Sequence, residues 1–282
     1  MRALITGAGG LVSSALASRL SDVVALKHAA LDVTDRTAVD SVVDRAEPDL
    51  IVNCAVIGVD DCERDSALAR RVNVDGPAHL AEAAGRCGAA IVHFSSNYVF
   101  DGRPATREPY TIEDEPHPIN VYGQTKLEGE RAVAERVARA FIIRTSWVYG
   151  RGKNSFLATA PARLKRGESV QAISDTWAST TYVADLAQRV LDIIARGTPG
   201  TYHVVNGGIC SHETFARDAA AFAGVPNEVA DRLIEVISEA EMNRMAPRPP
   251  WTPMRCLLSE RLGLPPMRDW RDALLAYVAE ID

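Results

Sequence analysis

The chain has 282 residues, 47% of them hydrophobic, which is enough for a proper core in one large or two small domains. Its net charge of −6 and pI near 5.6 argue against nucleic acid as a general partner, because phosphate binding needs a basic face. Five cysteines without a C-x-x-C pair suit reduced thiols in a cytoplasmic protein. Six histidines without H-E-x-x-H spacing predict no metal, and no apolar run approaches membrane-spanning length.

Residues 2–6 form a short apolar run that reads as a strand rather than a signal peptide. It feeds Gly7-Ala8-Gly9-Gly10-Leu11-Val12-Ser13 and then a helix over 14–20. Strand, glycine turn and helix are the context a dinucleotide fingerprint requires, so Gly7, Gly9, Gly10 and Leu11 are expected at a cofactor pyrophosphate. The spacing fits G-x-x-G-x-x-G with one departure, Ser13, expected to be tolerated at some cost in helix–strand packing. A second strand over 23–26 ends in Lys27-His28. A base there suits the 2′-phosphate of NADP, whereas an acid would hold the ribose of NAD. NADPH is therefore the expected cofactor, with NADH the second candidate, and Asp32 is placed against the adenine.

A third strand over 49–55 precedes a helical pass through 60–70, and Val72–Pro77 leads into a helix over 78–87. A fourth strand, 91–94, delivers Ser95-Ser96-Asn97-Tyr98 to its C-terminal end, where open α/β sheets bind ligands. The polar loop 102–120 is long enough to suggest function. Tyr122 and Lys126 follow on one face of a helix, four residues apart. A phenol titrates near pH 10, and a nearby ammonium should pull it down, giving a general acid with its own tuner.

A fifth strand over 141–144 runs into Thr145-Ser146-Trp147-Val148-Tyr149-Gly150. Buried strands alternating with helices predict an α/β fold with a Rossmann-type, doubly wound parallel sheet. After Gly150 the alternation loosens: helices over 156–166, 182–194, 211–223 and 269–279, strands over 169–173 and 200–205, and a Pro-rich stretch at 247–253. The expected division is a dinucleotide-binding domain over 1–150 and a smaller substrate-binding region over 151–282, partly interleaved with it.

With these residues in place the chain resembles the extended short-chain dehydrogenase/reductases of the dTDP-4-dehydrorhamnose reductase group, nearly end to end. The resemblance is carried by Val52-Asn53-Cys54-Ala55, Phe94-Ser95-Ser96-Asn97-Tyr98-Val99-Phe100-Asp101-Gly102, Asn120-Val121-Tyr122-Gly123-Gln124-Thr125-Lys126 and Arg144-Thr145-Ser146-Trp147-Val148-Tyr149-Gly150. It implies an NAD(P)H-dependent reductase acting on the C4 ketone of a nucleotide-linked 6-deoxy sugar. Tyr122 would then protonate the C4 oxygen. Lys126 would lower the pKa of Tyr122 and hold the nicotinamide ribose. Ser96, where the group has Thr, would polarise the carbonyl. The resemblance also implies cofactor contacts at Ala55 and Asn73 and sugar contacts at Asn97, Tyr98 and Trp147.

Three departures fall on the substrate side. Ser95-Ser96-Asn97 stands where the group has Ser-Thr-Asp. Asp175 to Thr181 lacks the group's Gln, Gly and Pro, and Met254-Arg255 replaces a common Leu-Asp. They leave open a related sugar, a sugar-nucleotide epimerase or dehydratase, and a non-catalytic NADP-binding regulatory subunit. The partner expected is the nucleotide sugar, with no nucleic acid and no membrane, and with a homodimer allowed.

Overall fold

Short, mostly buried apolar runs become the strands of one parallel sheet in the computed structural model, which describes residues 1–281. They are β1 (Arg2–Thr6), β2 (Asp22–Leu26), β3 (Leu50–Asn53), β4 (Ala90–Ser96) and β5 (Ala140–Thr145), joined by an edge strand, Gly200–His203. Their order is Gly200–His203, β5, β4, β3, β1, β2, with every pairing parallel. Alternate side chains serve opposite faces. Ala3, Ile5, Val52, Val92, Phe141 and Ile143 pack with helix α1 (Leu11–Ala17) and the helix Val183–Arg196. Leu4, Ile51, Ile91 and Ile142 pack against helices α2 (Arg36–Ala46) and α5 (Gly76–Cys87). The doubly wound parallel sheet expected from the strand and helix pattern is therefore present.

The order changes direction between β1 and β3, and ligands in such sheets bind in the crevice beyond the carboxyl ends at that point. The helical pass after β3 is two pieces, α3 (Val59–Arg64) and α4 (Ser66–Arg70), because Asp65 breaks the first and caps the second through Leu68 N–H at 2.8 Å. A π-helical turn, Arg71–Asp75, then joins α4 to α5.

Helix α6 (Val121–Ala134) starts at Asn120, whose side chain accepts the Gly123 N–H at 2.7 Å. It is anchored to the sheet by Glu130. Arg144 on β5 donates to both its oxygens, Nε at 2.9 Å and Nη2 at 2.7 Å, and Ser95 on β4 donates to it as well. Both charged side chains are 7% exposed.

The later elements differ from expectation beyond their ends. The strand Val170–Ile173 stands outside the main sheet and pairs with Ile234–Ile237. That second strand and the helices Asn227–Leu233 and Leu257–Arg261 carry too little apolar periodicity to read from sequence. Around Tyr149, Phe215, Trp270 and Tyr277 the C-terminal helices form a second, aromatic core. No helix among the described residues is long and apolar enough to cross a membrane.

Removing one member of a buried ion pair strands the other in low dielectric, at about 3–5 kcal/mol. Glu130→Ala should therefore lower the urea-unfolding free energy by about that much, whereas Glu130→Leu combined with Arg144→Met should lose less than either single change alone. Losses that simply add would show the two groups to be independent.

Candidate active site

The glycine turn is shaped by close approach. Gly7 has φ +64°, and a Cβ there would lie 2.6 Å from the Cys54 carbonyl, so β1 and the end of β3 can meet only at a glycine. Ser13 does more than fit. Its hydroxyl lies 2.9 Å from the carbonyl oxygens of both Gly7 and Gly10, bonding the turn from inside. The cost expected from replacing the third glycine is thus offset by a bond that glycine could not make.

A cavity of about 430 Å³ opens here, lined by Gly7, Gly10, His28, Asp32, Ala55 and Val56 among others. Asp32 accepts the Thr34 N–H at 2.9 Å. That bond, with His28 and Arg71 nearby, keeps it below the usual carboxylate range despite partial burial. Lys27 is exposed, and its side chain passes over Gly9, where a Cβ would lie 3.6 Å from the lysine Cε. Leu11 opens α1 beside the turn. Asn73 does not reach the cavity. It is wholly buried, accepts the Ile57 N–H and donates to Thr125 Oγ1 at 3.1 Å, so it braces the cavity wall against α6.

Ser96 ends β4 and Tyr122 begins α6, and a close backbone contact brings the two elements together. A Cβ on Gly123 would sit 2.0 Å from the Tyr98 carbonyl oxygen, so the loop after Ser96 lies directly on the helix. The Tyr98 and Tyr122 rings meet edge to face, 6.0 Å apart. Tyr122 is half-buried and Lys126, one turn on, is 2% exposed.

The electrostatics depart from expectation. Burial pushes the Tyr122 phenol up to about 12, and a hydrogen bond with Ser96 opposes that rise. Lys126 is not among the groups pulling it down. The lysine is itself lowered to about 8, chiefly by burial and against the pull of Glu130. Desolvation outweighs the charge contact that the Tyr-x-x-x-Lys spacing suggests.

Asn97 is also placed differently from expectation. It is 2% exposed, accepts the Ser96 hydroxyl at 3.1 Å and donates to Thr252 Oγ1 at 2.7 Å. It orients Ser96 and ties the Pro-rich stretch to the site, with one bond on each amide atom.

Trp147 follows β5, whose Thr145 is in register with Ser96. Its φ is +40°, a strained conformation for a bulky side chain and one that clusters at functional sites. The ring lies 4.2 Å from that of His212, which in turn lies 4.8 Å from Phe156. A polar cleft of about 460 Å³ adjoins this aromatic group, lined by Asn154, Ser155, Phe156, Arg163, His212 and Arg244 among others. Ser155 Oγ is buried there without a partner among the described residues. The Arg244 charge bears on both His212 and Tyr98. Sequence reasoning missed this cleft. Its residues come from distant segments, 154–163, 169–173, 212 and 235–244, that meet only in the fold.

Comparison with known proteins identifies the family. The family model described as RmlD substrate binding domain matches residues 1–282. The chain is 37% identical to a dTDP-4-dehydrorhamnose reductase of Mycolicibacterium smegmatis, over 99% of this chain and 86% of that protein. It is 34% identical to a dTDP-4-keto-6-deoxy-D-glucose reductase of Streptomyces niveus, over 97% and 95%. The structure of a dTDP-4-dehydrorhamnose reductase from Bacillus anthracis in complex with NADP superposes with a TM-score of 0.91 at 33% identity, covering 99% of both chains.

The backbone approach at Gly123 is the most exposed point of this arrangement. Gly123→Ala should cost about 1–3 kcal/mol in urea unfolding, the usual range for overpacking, and should lower turnover in the fraction that folds. A variant with wild-type stability and turnover would show that Ser96 and Tyr122 do not depend on this contact.

Proposed function

The chain belongs to the RmlD substrate binding domain family, and from that premise we propose that it is an NADPH-dependent reductase of the C4 ketone of a nucleotide-linked 6-deoxy sugar. The observation that carries the reading is the convergence of Ser96, Tyr122 and Lys126 beyond the carboxyl end of β4, with a glycine-turn cavity on one side and a polar cleft on the other.

NADPH fits the residues on the first side: Gly7 and Gly10 allow a pyrophosphate to lie close, Asp32 lies in the cavity expected for the adenine, and Lys27 offers a cation for the 2′-phosphate. Bound there, the cofactor supplies a hydride. The remaining chemistry belongs to the chain. Tyr122 gives its phenolic proton to the C4 oxygen, and the Ser96 hydroxyl polarises the ketone. Burial keeps the phenol protonated at neutral pH, so the proton is present, and the alkoxide forming at C4 is basic enough to take it. The Ser96 proton, given to Asn97 Oδ1 before substrate arrives, turns to the ketone, and Tyr98 and Trp147 border the sugar.

The second cleft suits the nucleoside diphosphate, with Arg244 toward the phosphates and the Phe156–His212 pair toward the base. On this reading residues 1–150 serve mainly the cofactor and 151–282 mainly the substrate. Strand Gly200–His203, which completes the main sheet, crosses that division. An NADPH-consuming enzyme with five free thiols fits the cytoplasm, and we place it there.

Two variants test these roles. Tyr122→Phe keeps the ring and removes the proton donor, so turnover should fall by ~10² to 10⁴ with NADPH affinity nearly unchanged. A wild-type rate would end the assignment. Lys27→Ala should raise the KM for NADPH about tenfold, the size of one charge-assisted hydrogen bond, and leave that for NADH alone. An equal effect on both cofactors would detach Lys27 from the 2′-phosphate.

A further inference from the structure

Thr6, Asn53 and His93 are register partners across β1, β3 and β4 and form a polar row beneath α6. None is more than 1% exposed, where an unpaired polar group is costly, so each needs a defined partner. The oxygen of Asn53 fixes the direction of the row. Asn53 Oδ1 accepts the Ala55 backbone N–H at 3.1 Å, a group that can only donate, and the Thr6 hydroxyl at 2.8 Å. Turning the amide over would set its NH₂ against that N–H.

Nδ2 therefore faces His93 Nδ1, 3.1 Å away, and donates to it. Burial and the nearby Lys126 charge hold His93 well below its ordinary pKa, so the ring is neutral and its single proton is on Nε2. Nε2 lies 3.5 Å from Lys126 Nζ. An ammonium has donors only, so with Lys126 charged two N–H groups oppose each other. The contact becomes a hydrogen bond only when the lone pair of a neutral amine receives the Nε2 proton.

We propose that His93 is a positioning residue for Lys126: locked by Asn53 with its proton on Nε2, it turns a donor toward the lysine and favours the uncharged amine. The inference rests on the reading of Lys126 as part of the catalytic machinery. The other groups facing Lys126 oppose His93 weakly or not at all. Glu130, on the same helix, favours the ammonium, but its carboxylate is engaged by Arg144 and Ser95. Cys54 after β3 and Cys62 on α3 are pushed up by burial, to about 12 and about 11, and carry no charge at neutral pH. Tyr122, also on α6, stays protonated. Burial alone brings Lys126 down to about 8, and a donor from His93 would act in the same direction, giving a lysine that changes charge near the working pH instead of a fixed cation beside the phenol.

The chain has only four lysines, Lys27, Lys126, Lys153 and Lys165, so the side-chain signal of Lys126 can be followed by ¹³C-lysine NMR and assigned by its loss in Lys126→Met. Nitrogen NMR of ¹⁵N-histidine protein should show His93, assigned by its loss in His93→Gln, as the Nε2–H tautomer with no titration through neutral pH. In His93→Gln the amide oxygen can turn to the ammonium, and the Lys126 midpoint should rise by about one pH unit or more, a tenfold gain in proton affinity. An Nδ1–H tautomer, or an unchanged Lys126 midpoint in folded His93→Gln, would overturn the proposal. If His93→Gln does not fold, Asn53→Ala assigns the perturbed ring, and the wild-type tautomer decides. The spectra do not depend on turnover. A Lys126→Met protein with wild-type rate would remove the catalytic reading while leaving the test of His93 intact.

Discussion

Helix α6 has two glycines against which other backbones lie, and the site depends on that closeness. A Cβ on Gly123 would strike the Tyr98 carbonyl and one on Gly129 the Asn73 carbonyl, at 2.0 and 2.2 Å. The helix is therefore sunk into the ends of the strands instead of resting on a layer of side chains. Tyr122, Lys126 and Glu130, spaced by four, form one stripe running from the half-open cleft to the buried ion pair with Arg144. Each position meets a different depth of the sheet: Ser96 for the phenol, His93 for the lysine, and Arg144 with Ser95 for the carboxylate.

That depth governs the chemistry. In a solvated site the Tyr-x-x-x-Lys pair would act on itself, lysine lowering tyrosine. Here desolvation drives the two pKa values apart, raising the phenol and lowering the ammonium. The pair is consequently sensitive to the polar row behind it, where a single amide orientation at Asn53 determines what His93 offers. The front of the site is closed by chain from the C-terminal part. Asp60 on α3 pairs with Arg248 at 2.7 and 3.0 Å, Asn120 donates to the Pro247 carbonyl, and Asn97 reaches Thr252. The Pro-rich stretch is thus a strap over the start of α6, held by polar bonds and by the packing of Trp251 on the Val99–Phe100 cluster.

The sheet, its winding and the convergence of Ser96, Tyr122 and Lys126 were legible in the sequence because each rests on a local signal: an apolar run, a glycine turn, or two residues one helical turn apart. Gly7 and Tyr122 can be found without knowing what they touch. The roles of Asn73 and Asn97 could not be read that way. Both sit in blocks that read as ligand contacts, yet partners 52 and 155 residues away engage their amides. The second cleft was invisible for the same reason, since Phe156, His212 and Arg244 meet only in the fold. Ser13 shows the reverse case: a departure from a pattern that looked like a loss is a substitution with its own hydrogen bonds.

The central claim is net reduction, and isotope transfer tests it most directly. The protein would be mixed with a dTDP-4-keto-6-deoxyhexose and NADPH deuterated at the transferable position of the nicotinamide. Absorbance of the reduced cofactor would be followed, and the product examined by NMR. The account predicts one NADPH oxidised per sugar consumed, with deuterium at C4 of the product. NADPH that binds but is never oxidised would point to a regulatory subunit, and sugar rearranged without net loss of cofactor would point to an epimerase; either result would contradict it.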